Sequence, residues 1–414
     1  LKQISFSTIE GKVTMTKNSE SYIKLEDEFG ANNYHPLDIV IERAEGIWVW
    51  DVDNNKYMDC LSAYSDVNQG HCHKRLVSVM QEQCAKLTLT SRAFRNNHLG
   101  AFYKAVCQIS GKNMVLPMNT GAEAVETAIK AARKWGYKKK GISEGKAEII
   151  VFQDNFHGRT TTIVGFSTEE QYKDGFGPFT PGFKVIPFGD AKALEAAINE
   201  NTCAFLFEAI QGEAGIHIPP DGFLKKAREL CTKNNVMMIA DEIQTGLGRT
   251  GKWFASEHFG IVPDMYIMGK ALAGGFYPVS AVAADKEILD VFNPGDHGST
   301  FGGNPLGAAL AVEALAILKE EKLVENSANI GNYFMDKLKA IDLPIVTEIR
   351  GKGLLIGLEL DRKARPYCEA LMAKGLLCKE THDNVIRFAP PLTISLPEVD
   401  WALERIEAVL KEKF

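Results

Sequence analysis

The chain has 414 residues, 45% hydrophobic and 24% charged, a balance that suits a globular protein with a substantial core and more than one domain. Its formal net charge of −6 gives no basic footprint for nucleic acid, so a small-molecule partner is expected. No run reaches the ~20 consecutive apolar residues that cross a bilayer, and the opening LKQISFSTIEGK has neither a signal-peptide core nor an Arg-rich transit pattern, which points to the cytoplasm.

A polar run starts at Met15, so residues 1–14 are expected to be an extension that takes no part in the fold. Residues 46–59, GIWVWDVDNNKYMD, read as two short strands around an Asp-Asn-Asn turn. His71-Cys72-His73 suggests metal binding at first sight, but adjacent residues of an extended segment point to opposite faces and no second ligand cluster follows, so no metal is expected. The eight cysteines (Cys60, Cys72, Cys84, Cys107, Cys203, Cys231, Cys368 and Cys378) form no Cys-x-x-Cys pair and read as free, mostly buried thiols.

From about residue 75 to 310, helical patterns alternate with short apolar runs at 148–152, 184–188, 203–207, 236–240, 265–268 and 279–284. That alternation argues for an α/β domain with a largely parallel sheet. Several runs end in polar or glycine-rich groups, QDNFHGR, EAIQGE, DEIQTG and GKALAGG. In open α/β sheets ligands bind at the carboxyl ends of strands, so these four segments can converge on one site. After Asn304-Pro305 a long helix (306–320), the strand-like VTEIRG, LLIGLEL and VIRFAP, and a closing amphipathic helix (397–411) form a second, smaller α/β domain. Arg350-Gly351-Lys352-Gly353 has neither nucleotide-loop spacing and reads as a turn.

Three features carry chemistry. In NTGAEAVETAIKAARKWG (119–136), Thr120 and Glu123 fit a capping box and Gly121 opens the helix. A bare helix start suits a phosphate, although an ordinary capped helix looks the same. In VMMIADEIQTG an apolar strand delivers Asp241, which can keep a pyridine nitrogen protonated or simply cap the next turn. Lys270 follows a further strand and precedes Ala-Gly-Gly, a setting for a desolvated amine of lowered pKa that forms a Schiff base.

The segments NNYHPL (32–37), LSAYSDVNQGHCH (61–73), LTSRAF (89–94), PMNTGAEAVETAIKAARKWGY (117–137), NFHGRT (155–160), IQGEAG (210–215), ADEIQTGLGRTG (240–251), GKALAGG (269–275) and GSTFGGNPLG (298–307) resemble, in collinear order, the fold-type I, class III aminotransferases. The resemblance implies an α/β fold with a large, mostly parallel sheet domain at 61–308. It implies a smaller α/β domain made from 309–414 together with an N-terminal segment at 15–60. It also implies pyridoxal 5'-phosphate as cofactor. Lys270 would carry it and move the proton, Asp241 would meet the pyridine nitrogen, Gln244 the phenolic oxygen, and Phe156 would stack on the ring. Gly121 and Ala122 would donate backbone N–H groups to the phosphate. Thr300 would reach the phosphate of a neighbouring subunit, which makes a homodimer the catalytic unit.

The same resemblance implies a donor with a distal amine, L-ornithine, and 2-oxoglutarate as acceptor. Arg159, with Tyr34 beside it, would hold the remote carboxylate of ornithine, and Tyr64 would favour ornithine over 4-aminobutyrate. Arg387 would meet the α-carboxylate of 2-oxoglutarate, with Glu213 neutralising it while ornithine is bound. N-acetylornithine or 4-aminobutyrate as donor remains a near alternative, and a catalytically silent binding protein a distant one; intact Lys270, Asp241 and Gln244 weigh against the latter. Asp66, Lys74 and Ala209 depart from residues frequent in the family, where Ala, Pro and Pro stand. Asp66 bears on substrate preference because it lies two residues from Tyr64.

Overall fold

The computed structural model describes residues 19–412, so the expected extension at 1–14 lies outside the described residues. Strands β1 (Ile41–Glu45), β2 (Trp48–Asp51) and β3 (Lys56–Asp59) make an antiparallel ribbon. The two strands expected around Asp53-Asn54-Asn55 are β2 and β3; β1, with only one half-buried residue, had no apolar signal to announce it.

Strands β4 (Met114–Met118), β5 (Glu148–Phe152), β6 (Phe183–Ile186), β7 (Thr202–Glu208), β8 (Met237–Asp241), β9 (Met265–Met268) and β10 (Ser280–Ala284) form one sheet, ordered β4-β10-β9-β8-β7-β5-β6. The five strands from β9 to β6 run parallel, while β10 is antiparallel to both its neighbours. Both faces are covered: along β8, Met237 and Ile239 join one apolar cluster and Met238 and Ala240 the other. A parallel sheet buried on both sides explains why these strands read as unbroken apolar runs. Strand β4 escaped the sequence pattern because it contains Pro117, which cannot donate to a ladder and sits at the sheet edge.

Strands β11 (Val346–Lys352), β12 (Leu355–Leu360), β13 (Leu376–Leu377), β14 (Lys379–Thr381) and β15 (Val385–Phe388) complete the set. Four of them form an antiparallel sheet, β11-β12-β15-β14, while β13 pairs in parallel with β3 and so joins the C-terminal part to the N-terminal ribbon. Arg350 to Lys352 belong to β11 itself, so the turn expected there begins only at Gly353. The helix expected at 306–320 spans Pro305–Glu320, capped by the Asn304 side chain, and the closing helix spans Leu396–Leu410 with a Ser395/Glu398 capping box.

Two local features matter for the site. Ser62, Ala63, Tyr64 and Ser65 all take positive φ (50°, 48°, 62° and 74°), a left-handed turn built without glycine. Arg249 is fully buried and ties three parts of the chain together: its guanidinium donates to the carbonyls of Leu354 (3.0 Å) and Pro390 (2.6 Å) and to the Asn68 side chain (2.6 Å). Burial pushes its pKa down to about 9, against the smaller upward pull of the Asp59 carboxylate.

Candidate active site

The parallel strands deliver their carboxyl ends to one edge of the sheet. Glu208 and Asp241 close β7 and β8 side by side in register, and Lys270 follows β9 by two residues. Lys270 opens a single 3-10 turn, Lys270–Ala273, with φ of 46°, a conformation an L residue adopts only under constraint. Its Nζ donates to the Tyr64 carbonyl at 2.7 Å. Burial drives the amine down to about 8, and the Arg387 cation pushes the same way against the carboxylates of Glu213, Asp66 and Asp241.

Asp241 is buried and held by one contact on each oxygen. Its Oδ2 lies 2.7 Å from Nδ1 of His157, and its Oδ1 accepts the Ile243 N–H at 3.1 Å. Burial disfavours the charged imidazole, yet the hydrogen bond to Asp241 together with the charges of Asp241 and Glu208 outweighs it, and His157 is raised overall. Glu208 accepts the Phe156 N–H at 2.9 Å, which fixes the loop carrying Phe156 and His157; burial lifts this carboxyl to about 7. His157 and Glu208 were not singled out from the sequence. His157 sits inside NFHGRT and Glu208 ends an apolar run, but only the folded register brings them to Asp241.

The helix Gly121–Trp135 starts on the expected capping box, with the Thr120 hydroxyl accepting from Glu123 N at 3.2 Å and the Glu123 carboxylate accepting from Thr120 N at 2.8 Å. Among the described residues, the N–H groups of Gly121 and Ala122 meet no acceptor, as helix geometry requires of first-turn donors. A cavity of about 400 Å³ separates Asn119, Thr120 and Gly121 from Ala63, Asp66 and Lys270. A Cβ on Gly158 (φ 125°) would come within 3.0 Å of the Ala122 Cβ, so only glycine lets the Phe156 loop settle against the helix start. Free amides at a helix N-terminus, an amine across the cavity and an oriented carboxylate fit a phosphate-bearing pyridine aldehyde.

The second cluster is ionic. Glu213 Oε1 accepts from Arg387 Nη1 at 2.9 Å and from Gln244 Nε2 at 2.9 Å. Burial alone would raise the Glu213 carboxyl, but Arg387 overrides it and holds the pKa near 2. Arg387 is almost wholly buried in β15 and also stands 5.2 Å from the Tyr64 ring. Tyr64 is half-buried, its phenol raised by burial first and then by Glu213. Gln244 thus points its amide at Glu213, and a Cβ on Gly212 would collide with it, which gives that glycine its reason.

Arg159 is exposed, its guanidinium 3.6 Å from the Tyr172 ring and 5.6 Å from the Phe156 ring. Tyr34 is 76% exposed, yet close enough to Tyr64 to influence its titration. Thr300 is exposed and has no side-chain partner among the described residues, while the neighbouring Ser299 hydroxyl accepts from Asn119 at 2.8 Å. Asp66 lines the Lys270 cavity, raised by burial and opposed by the lysine; Lys74 is an exposed helix start and Ala209 is buried. His71 pairs with Asp59 (2.8 Å) and His73 with Glu321 (3.1 Å).

The Aminotransferase class-III family model matches residues 29–410. The chain belongs to the class-III aminotransferases. This class-III aminotransferase is 62% identical over 388 residues to the ornithine aminotransferase of Brevibacillus brevis, covering 94% of this chain and 97% of that one. It is 59% identical over 399 residues to that of Bacillus subtilis, covering 96% and 100%. Among solved structures, the ornithine aminotransferase of Toxoplasma gondii superposes with a TM-score of 0.94 at 43% identity, covering 95% of this chain and 94% of that one. The acetylornithine aminotransferase of Elizabethkingia anophelis gives 0.89 at 51% identity, covering 95% and 99%. The class-III aminotransferase described here is a pyridoxal-phosphate enzyme of fold-type I.

Proposed function

We propose that this class-III aminotransferase moves the δ-amino group of L-ornithine to 2-oxoglutarate, yielding glutamate 5-semialdehyde and glutamate. The observation that carries the reading is the unequal state of two arginines: Arg387 is neutralised by Glu213 at 2.9 Å, while Arg159 faces no carboxylate among the described residues. One open cation suits a donor with a single carboxylate, and a second that Glu213 can release suits a diacid. The ornithine aminotransferases among its relatives support the same substrate.

Pyridoxal phosphate bound here supplies an electron sink for the pair left when a C–H bond beside the amine breaks. Lys270 Nζ takes the proton from Cδ of ornithine and carries it away from that carbon toward the cofactor, and its depressed pKa keeps a free-base population near neutrality. Asp241, oriented by His157, keeps a positive charge on the ring nitrogen favourable. Phe156 would cover the ring face, Gln244 would meet the phenolic oxygen, and the Gly121 and Ala122 amides would hold the phosphate. Arg159 and Tyr34 anchor the remote carboxylate, leaving Cδ toward Lys270, and Tyr64 walls the pocket. For the second half-reaction Glu213 leaves Arg387, which then takes the α-carboxylate of 2-oxoglutarate.

The reading includes a homodimer in which Thr300 completes the partner's phosphate site, supported by its exposure on the single chain. It also keeps the division into 15–60 with 309–414 against 61–308, supported by the β3–β13 pairing. Among the described residues no helix is long and apolar enough to cross a membrane. The 51% identity to an acetylornithine aminotransferase favours N-acetylornithine as the second reading. Mixing the purified enzyme with each amine in the absence of a keto acid separates the two: ornithine converts the cofactor spectrum to its amine form at least as fast as N-acetylornithine, and failure to do so overturns the assignment.

A further inference from the structure

Arg159 follows β5 on an irregular segment, is exposed, and has no ion-pair partner among the described residues. An arginine in that state normally samples many rotamers, which weakens any carboxylate it binds. Here its guanidinium lies 3.6 Å from the centroid of the Tyr172 ring. Tyr172 in turn meets Phe156 edge to face, centroids 6.2 Å apart and planes at 77°. The tyrosine is half-buried at the end of a single 3-10 turn, Glu170–Tyr172. Its phenol is raised by burial foremost, lowered by Arg159 and raised again by Glu213, so it lies within electrostatic reach of both charged groups.

A guanidinium stacked on an aromatic face keeps its in-plane N–H donors free, and those are the donors that grip a carboxylate in the two-point mode. We infer that Tyr172 is a positioning residue for donor selection, clamping the face of Arg159 so that its edge meets the carboxylate remote from the reacting amine. The inference rests on the reading of Arg159 as the carboxylate anchor. The clamp also denies Arg159 a swing toward Glu213, whose carboxylate stays with Arg387 and Gln244. Because Tyr172 touches Phe156 as well, the remote anchor and the residue proposed to cover the cofactor ring share one wall.

The test uses the holoenzyme carrying Tyr172→Leu, Tyr172→Phe, Arg159→Leu and the Tyr172→Leu/Arg159→Leu pair, with steady-state constants for L-ornithine. Loss of a partly desolvated cation–π contact raises the ornithine KM roughly 10-fold in Tyr172→Leu, with kcat within about 2-fold. Tyr172→Phe recovers most of that affinity, because the ring face and not the hydroxyl supplies the clamp. In the Arg159→Leu background Tyr172→Leu adds less than about 2-fold, as coupled residues do. The inference is overturned if the two effects multiply, if Tyr172→Leu lowers kcat at unchanged KM, or if Tyr172→Phe behaves as Tyr172→Leu. Tyr172→Met replaces the leucine variant should the latter not fold. If the unsubstituted enzyme ignores ornithine but accepts another ω-amino acid, the substrate assignment fails alone, and the same comparison with that donor still decides the role of Tyr172.

Discussion

Glu213 accepts from Arg387 and Gln244 through a single oxygen, and its pKa near 2 records how strongly Arg387 favours the charged form. Since the folded value lies below the ordinary 4.5, the stabilisation is fully present above pH 4.5 and fades as pH falls toward 2. At neutral pH, Glu213→Gln therefore removes an intact pair and leaves Arg387 buried without a counter-charge. Differential scanning fluorimetry is expected to register a loss of about 3 kcal/mol, and ornithine KM rises while 2-oxoglutarate becomes a stronger inhibitor of the first half-reaction. Lys270 is shifted down as well, but in an amine that favours the uncharged form: its pKa of about 8 lies below the usual 10.5, so the free amine dominates above pH 8. Covalent capture of pyridoxal phosphate by apoenzyme, trapped with borohydride and located by peptide mass, accelerates as pH passes through 8. A midpoint near 10.5 would contradict the desolvation described for this amine.

At the scale of elements, the sequence is most explicit where one local rule dominates. The Thr120/Glu123 box predicts the start of helix Gly121–Trp135, and the reciprocal hydrogen bonds are present. Thr120→Ala is expected to cost about 1 kcal/mol in chemical denaturation with an unchanged m-value. The buried parallel strands are legible for the same reason, since both faces demand apolar residues. Strand β4 is not, because Pro117 hides it, and β13 and β14 are too short for any period to emerge. The site divides similarly. Asp241, Lys270 and the helix start can be read as strand-end and capping residues, whereas Arg387, Glu213 and Thr300 come to notice only through family resemblance. Tyr172 has no sequence signal at all: its role depends on a tertiary contact with Arg159.

Across the whole molecule, two devices hold distant parts in register. Arg249 binds carbonyls of Leu354 and Pro390 and the amide of Asn68, so a single guanidinium spans the N-terminal, central and C-terminal stretches. Arg249→Met strands those acceptors in a dry interior and is expected to lower stability by about 3 kcal/mol or more, measured by urea unfolding. The other device is the proposed dimer. Sedimentation equilibrium should return twice the chain mass, and Thr300→Ala should speed release of pyridoxal phosphate about 10-fold, the loss expected for one charge-assisted hydrogen bond. A monomeric holoenzyme would remove the basis for Thr300 acting across subunits.

The left-handed turn from Ser62 to Ser65 has a consequence for directed evolution. Each L residue there forgoes on the order of 1 kcal/mol relative to glycine, and the turn presents the Tyr64 carbonyl to Lys270. A library selected only for heat resistance should enrich Ala63→Gly, which relieves the strain, and its survivors should hold Lys270 less firmly. Thermostability and turnover would then diverge at Ala63, and a screen that scores both will leave it in place.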